Sequence, residues 1–177
     1  MKKALIFAGD GFEDAELLYP YYRLQEEGLE MDVAGKDAGK VFTGKKGYPI
    51  KSTIAVKDVM IDDYAVLVVP GGLAPDKWRM DEDFVRVVQQ AFGRDLVVAA
   101  ICHAPQLLIE AGVVNGRKMT CYQSVKTDLK NASAHYEDRE VVVDGNLVTS
   151  RQPSDLPAFM RETIKVLRER KVLLKAS

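Results

Sequence analysis

The chain has 177 residues, 47% of them hydrophobic and 29% charged, with a formal net charge of −1 at pH 7. This is the composition of an ordinary soluble globular protein, and the near-zero charge gives no electrostatic case for nucleic acid or an anionic membrane. No apolar run approaches the ~20 residues of a membrane span, and residues 4–8 are too short an apolar stretch for a signal peptide, so a cytoplasmic protein with a single domain over residues 1–177 is expected.

Residues 4–8 fit a central parallel strand. After Gly9-Asp10-Gly11 a helix with an acidic start begins near Asp14, runs to about Gly28 and is interrupted or kinked at Pro20. Residues 31–34 read as a second strand, and the Gly- and Lys-rich stretch 36–56 holds a hairpin pairing 41–43 with 48–50. Residues 64–69 form a strand ending in Pro70-Gly71-Gly72, a loop that needs unusual backbone angles. Residues 81–92 are helical, with Phe84, Val85, Val88 and Phe92 on one side, followed by strand 96–101 and helix 104–110. Residues 119–122 are a candidate strand and 125–131 a helix. Residues 141–143 and 147–150 pair across Asp144-Gly145-Asn146, and 156–174 form a closing helix. Strands alternating with helices imply an α/β fold whose mainly parallel sheet is covered on both faces, with the site at the carboxyl ends of the strands. The loops at 9–14, 70–78 and 102–104 compete for that edge.

Cys102 falls between strand 96–101 and a helix opening at Ala104-Pro105. Its sulfur is then at a helix N-terminus, where the dipole and unpaired N–H groups favour thiolate. A thiol with a pKa of ~8.5 is a few per cent ionised at neutral pH and one near ~6 about nine-tenths ionised, a gain of roughly thirtyfold in nucleophile. Position alone is equally consistent with a buried cysteine ending a strand. Both cysteines, Cys102 and Cys121, are expected to be reduced.

Gly9-x-Gly11 resembles the opening of a dinucleotide fingerprint. However, Asp14 occupies the third glycine's place, and Glu13, Asp14 and Glu16 oppose a pyrophosphate there. Gly35 and Gly39 around Lys36 to Lys40 lack P-loop spacing. The acidic cluster makes sense if a carboxyl is the working group: Asp14 is the natural helix N-cap, and Glu13 is left in the loop, able to face the neighbouring strand end. The side chain of His103 is expected to diverge from that of Cys102. Its backbone N–H can hold a developing oxyanion, and its ring can act as base if another group orients it. Gly71 and Gly72 are turn glycines by default and oxyanion donors in the alternative. Cys121 reads as a core or edge thiol and His135 as a surface or strand-edge residue. Two His and two Cys without a C-x-x-C predict no metal site.

Phe12-Glu13-Asp14-x-Glu16-Leu17, Pro70-Gly71-Gly72-x-Ala74-Pro75-Asp76, Ala100-Ile101-Cys102-His103-x-Pro105-Gln106 and Val148-Thr149-Ser150-Arg151 occur in this order. Together they resemble the PfpI/DJ-1/ThiJ family, in particular its intracellular-protease-like and stress-protein branch. The resemblance covers essentially the whole chain. It implies a flavodoxin-like three-layer sandwich, related to class I glutamine amidotransferase domains, with Cys102 on a strained nucleophile elbow. It further implies that Glu13 contacts the sulfur as a protonated carboxyl, that no cofactor is needed, and that the protein is a homo-oligomer, either a dimer or a hexamer built from dimers. Three activities follow from the resemblance. A Cys102 thiolate with Glu13 acts on a small aldehyde such as methylglyoxal, as a glyoxalase or deglycase. Alternatively, Cys102 and His103 cleave peptides with Asp76 of a neighbouring subunit orienting the histidine. In the third, Cys102 is a redox sensor oxidised to sulfinate or part of a chaperone-like protein. The family pattern has glutamate at Asp76, one bond longer, and glycine at Ala104. Tyr122 and Arg151 are further binding candidates.

Overall fold

The computed structural model describes residues 3–173. In chain order the elements are β1 (Lys3–Phe7), α1 (Asp14–Glu26), β2 (Met31–Gly35), β3 (Val41–Thr43), β4 (Pro49–Lys51), β5 (Ile54–Ala55), β6 (Tyr64–Val69), α2 (Ala74–Trp78) and α3 (Glu82–Gly93). They continue with β7 (Val97–Ile101), α4 (Pro105–Glu110), β8 (Lys118–Met119), α5 (Lys126–Asn131), β9 (His135–Tyr136), β10 (Val142–Asp144), β11 (Leu147–Ser150) and α6 (Leu156–Glu169).

The main sheet has the order β10-β11-β7-β6-β1-β2-β5, parallel except for the edge strand β10, which folds back on β11. Strands β6 and β7 are buried at every residue, as central parallel strands covered on both faces must be, and their sequences are accordingly continuous apolar runs. Helices α1 and α6 pack together on one face, while α2, α3 and α4 form the other layer. Phe7 at the end of β1, Trp78 and Phe84 form an aromatic cluster under that second layer, with Trp78 and Phe84 stacked at 5.4 Å. This is the flavodoxin-like sandwich expected from the sequence.

Several boundaries differ from expectation. Helix α1 runs through Pro20 without a break, with the proline buried in its inward stripe. The hairpin pairs Val41 with Lys51 and Thr43 with Pro49, one residue beyond the expected register. The stretch expected as strand 119–122 keeps only its first residue in β8, and Thr120 to Tyr122 is irregular chain running past the sheet edge. The last helix stops at Glu169, short of the expected 174: residues 170–173 form a turn with Lys171 at φ +59°, and Leu174 lies outside the described residues.

Candidate active site

The loops after β1, β6 and β7 converge at one edge of the sheet. Phe12 bridges Gly72, the Glu13 N–H donates to the Gly71 carbonyl (3.0 Å), and the Leu73 N–H donates to the Gly11 carbonyl (2.8 Å). Gly72 has φ +85°, and a Cβ there would lie 2.4 Å from the Gly11 oxygen and 2.5 Å from the Glu13 nitrogen. Only glycine allows this approach of two backbones.

Cys102 follows β7 with φ +65°, a left-handed conformation uncommon for a residue with a Cβ. It is fixed from both sides: its N–H donates to Ser150 of β11 (3.0 Å) and its carbonyl accepts from Tyr122 (2.9 Å). The elbow turns the side chain to the sheet edge, where the residue remains 6% exposed. The N–H groups of Gly72 and His103 both point at the sulfur. His103 does not diverge, as adjacent residues of an extended strand would. The left-handed turn brings Nδ1 within 3.1 Å of Sγ, and Ser124 Oγ lies 3.2 Å from Nε2. The ring of Tyr122 stacks on the imidazole at 4.8 Å. Burial, then the positive charge of Lys45, pushes the His103 pKa down, which favours the neutral ring.

The carboxyl that reaches the thiol is Glu16, not Glu13. Glu13 is the N-cap residue of α1, makes no side-chain capping bond, and turns outward to Lys45 (3.7 Å). Glu16, one turn on, is fully buried beside Leu17, Pro20 and Leu24. Its Oε2 accepts the Gly71 N–H at 2.7 Å, and the carboxyl interacts with the Cys102 thiol, while Oε1 has no hydrogen-bond partner of good geometry. A buried carboxylate oxygen without a partner is costly, and protonation removes the cost. The Glu16 pKa is accordingly pushed up to about 8, first by burial, with the charge of Glu13 adding and the Gly71 N–H opposing. Helical spacing carries the signal missed in the sequence: Glu16 falls on the apolar stripe of α1, whereas Glu13 precedes it.

The lowered thiol pKa expected from the helix N-terminus is opposed in the folded chain. Burial and a negative charge on Glu16 push the Cys102 pKa up, and the N–H groups of Gly72 and His103 pull it down. The charge of each acid disfavours ionisation of the other, so their titrations are linked. A proton on Glu16 removes the charge that resists the thiolate. Gly71 forms the wall between them: a Cβ there would lie 2.6 Å from Glu16 Oε2 and 2.7 Å from Cys102 Cβ. The Gly71 N–H is thus engaged by Glu16, and the donors left facing the sulfur are Gly72 and His103.

The remaining sequence candidates sort differently. Asp14 is not the cap; its carboxylate accepts the N–H groups of Lys46 (2.7 Å) and Tyr48 (2.9 Å) and clamps the β3–β4 hairpin over the start of α1. Asp76 is exposed on α2, and within the chain Ser124 rather than Asp76 partners His103. Arg151 is bound to Asp155 and Asp138 and lines a separate cavity of about 480 Å³ with Lys126, Lys130 and Tyr136. Cys121 is buried and free, and His135 is exposed in β9. Among the described residues no cluster of His, Cys, Asp and Glu could hold a metal ion, and no helix is long and apolar enough to cross a membrane.

The model of the DJ-1/PfpI family matches residues 2–166. The chain belongs to the DJ-1/PfpI family. It is similar to a deglycase of Thermococcus kodakarensis, with 49% identity over 166 residues covering 94% of this chain and 99% of that protein. General stress protein 18 of Bacillus subtilis is 41% identical over 168 residues, covering 94% of this chain and 98% of its own. A two-domain Anabaena variabilis protein with DJ-1/ThiJ/PfpI-like and ferritin-like domains superimposes with a TM-score of 0.92 at 36% identity. That match covers 94% of this chain, which spans about half (48%) of the two-domain chain.

Proposed function

We propose that the protein is a cofactor-independent, stress-protective enzyme acting on reactive carbonyls, with Cys102 as nucleophile and Glu16, in the role first expected of Glu13, as its proton partner. The observation that carries this reading is the fully buried Glu16 carboxyl, with one oxygen unpartnered, set across Gly71 from a cysteine on a left-handed elbow. With methylglyoxal, the sulfur forms a bond to the aldehyde carbon and the carbonyl oxygen takes a proton, giving a hemithioacetal. Glu16, now carboxylate, removes the hydrogen from that carbon and returns a proton to the neighbouring one, leaving a thioester. Water cleaves the thioester to lactate and frees the thiol. The N–H groups of Gly72 and His103 are placed to hold negative charge next to the sulfur. The name deglycase carried by the Thermococcus relative supports the same substrate class. We further infer a cytoplasmic homo-oligomer; the exposed Leu73 and Met80 beside α2 are apolar surface that a second copy would cover.

The test is methylglyoxal turnover and casein cleavage by wild type, Cys102→Ser and Glu16→Gln. Methylglyoxal turnover absent in both variants, with casein untouched by the wild type, supports the carbonyl reading; turnover intact in Cys102→Ser overturns it. The 3.1 Å contact between Cys102 and His103 favours one second reading, a cysteine peptidase in which Asp76 of a neighbouring subunit orients the imidazole. Casein cleavage that is lost in Asp76→Ala would select that reading.

A further inference from the structure

Lys45 and Glu13 lie outside the contact between Glu16 and Cys102, yet the backbone around them is built with unusual care. The Lys45 N–H donates to the Phe12 carbonyl (2.8 Å), the Gly11 N–H donates to Thr43 (2.9 Å), and Asp14 holds the next two free amides of the hairpin turn. Gly44 packs so closely on this clamp that a Cβ would lie 2.5 Å from the Asp14 carboxylate. The Lys45 ammonium is thereby delivered 3.7 Å from Glu13 at the start of α1. Glu13 in turn is one helical turn from Glu16 and is tied by its own N–H to Gly71, the residue that holds the Glu16 carboxyl. With Lys45 half exposed and the two charges 3.7 Å apart, the ion pair adds little to stability. Its reach is the distinctive feature: Lys45 acts electrostatically on both Glu16 and His103.

We propose that the Lys45–Glu13 ion pair is a positioning element that sets how readily the Glu16–Cys102 pair releases its proton. The inference rests on the reading of Glu16 and Cys102 as the reactive pair, and on nothing about the substrate. The charged groups facing Glu16 are Glu13 from its own helix, Lys45 from the hairpin and Cys102 from the elbow. The loop after β6 contributes only the neutral Gly71 N–H. Glu13 disfavours the negative form of the pair and Lys45 favours it. Removing one without the other leaves an uncompensated charge of known sign, and a unit charge near a protein surface moves a neighbouring titration by about one pH unit. Removing both returns the field to nearly its original value.

The experiment is the pH profile of Cys102 alkylation by iodoacetamide, measured by intact mass on the full-length protein from pH 5 to 10, with methylglyoxal kinetics alongside. Glu13→Gln should shift the midpoint about one unit to lower pH. Lys45→Met should shift it to higher pH by about half a unit to one unit, Lys45→Arg should stay at the wild-type value, and the double variant Glu13→Gln/Lys45→Met should return to within a few tenths of it. A purely structural role would change the rates of both single variants in the same direction without opposed shifts or cancellation, and that result overturns the proposal, as do unmoved midpoints. The conservative Lys45→Arg guards against misfolding of the hairpin, since it keeps both the charge and the chain. Glu16→Gln separates the two levels. If it leaves the profile unchanged, the reactive pair itself is wrong. If it alters the profile while Glu13→Gln and Lys45→Met do not, the pair stands and the tuning role falls.

Discussion

Glu16→Gln should flatten the pH dependence of folding stability. The folded carboxyl titrates at about 8, against 4.5 for the free group. The folded chain therefore holds a proton that the unfolded chain has already released, and stability falls as pH climbs through this window. The contribution is fully present below pH 4.5 and is lost by about pH 8. At about 1.36 kcal/mol per pH unit, the wild type should lose about 3.5 kcal/mol relative to the glutamine variant between pH 5 and pH 8, where the folded carboxyl is half titrated. Glutamine can still accept the Gly71 N–H through its side-chain oxygen, so the variant keeps the bond that carries no pH dependence. Urea unfolding read by the fluorescence of the single tryptophan, Trp78, at pH 5, 6, 7 and 8 measures the difference. Wild-type and variant stabilities running parallel across these four points would refute a buried carboxyl protonated at neutral pH, and with it the proton partner assigned to Cys102.

Gly71→Ala should abolish methylglyoxal turnover and cost about 1–3 kcal/mol, because its Cβ would overlap Glu16 Oε2 and Cys102 Cβ; urea midpoints and turnover measure both. Asp14→Ala should cost about 2–3 kcal/mol by leaving the Lys46 and Tyr48 amides without their carboxylate, seen as a lower urea midpoint with faster proteolysis in the β3–β4 turn. Iodoacetamide at pH 8 should add a single adduct, at Cys102, because Cys121 is fully buried whereas Cys102 keeps 6% of its surface exposed at the sheet edge; a second adduct on the folded protein would contradict this. Ser124→Ala should leave methylglyoxal turnover within about twofold, because the role proposed for position 103 is that of its backbone N–H, which faces the sulfur; a loss beyond ~10-fold would assign the imidazole to the reaction.

Much of the architecture was legible because it rests on local pattern. The run at 64–69 is a strand with those bounds, and the apolar run before Cys102 and the proline after it locate the elbow. The site was legible only to the level of its loops. Helix α1 begins where expected and its apolar stripe carries Glu16, but nothing local shows that the loop after β6 brings Gly71 and the elbow to that stripe. Asp14 reads as a cap from sequence because nothing local reveals that a hairpin 30 residues later will offer it two amides. The contact of His103 with its neighbour follows from a φ of +65° at Cys102, which no propensity of cysteine predicts. In each case long-range packing decided what local preference left open.

The elbow also explains how acid and thiol from distant parts of the chain can share a proton. A left-handed cysteine costs about 1–2 kcal/mol, and the conformation persists because β11 and the Tyr122 amide hold both its backbone groups. On the other side, the contact of Gly72 with the Gly11–Glu13 backbone draws α1 toward the same point. Strand β6 lies between β1 and β7, so Glu16 and Cys102 approach each other only because Gly71, in the loop after β6, has no side chain. On the proposed mechanism, activity should accordingly be more sensitive to a methyl group at Gly71 than to most changes in the charged residues around it, since the methyl group separates the pair whereas the charges only bias it.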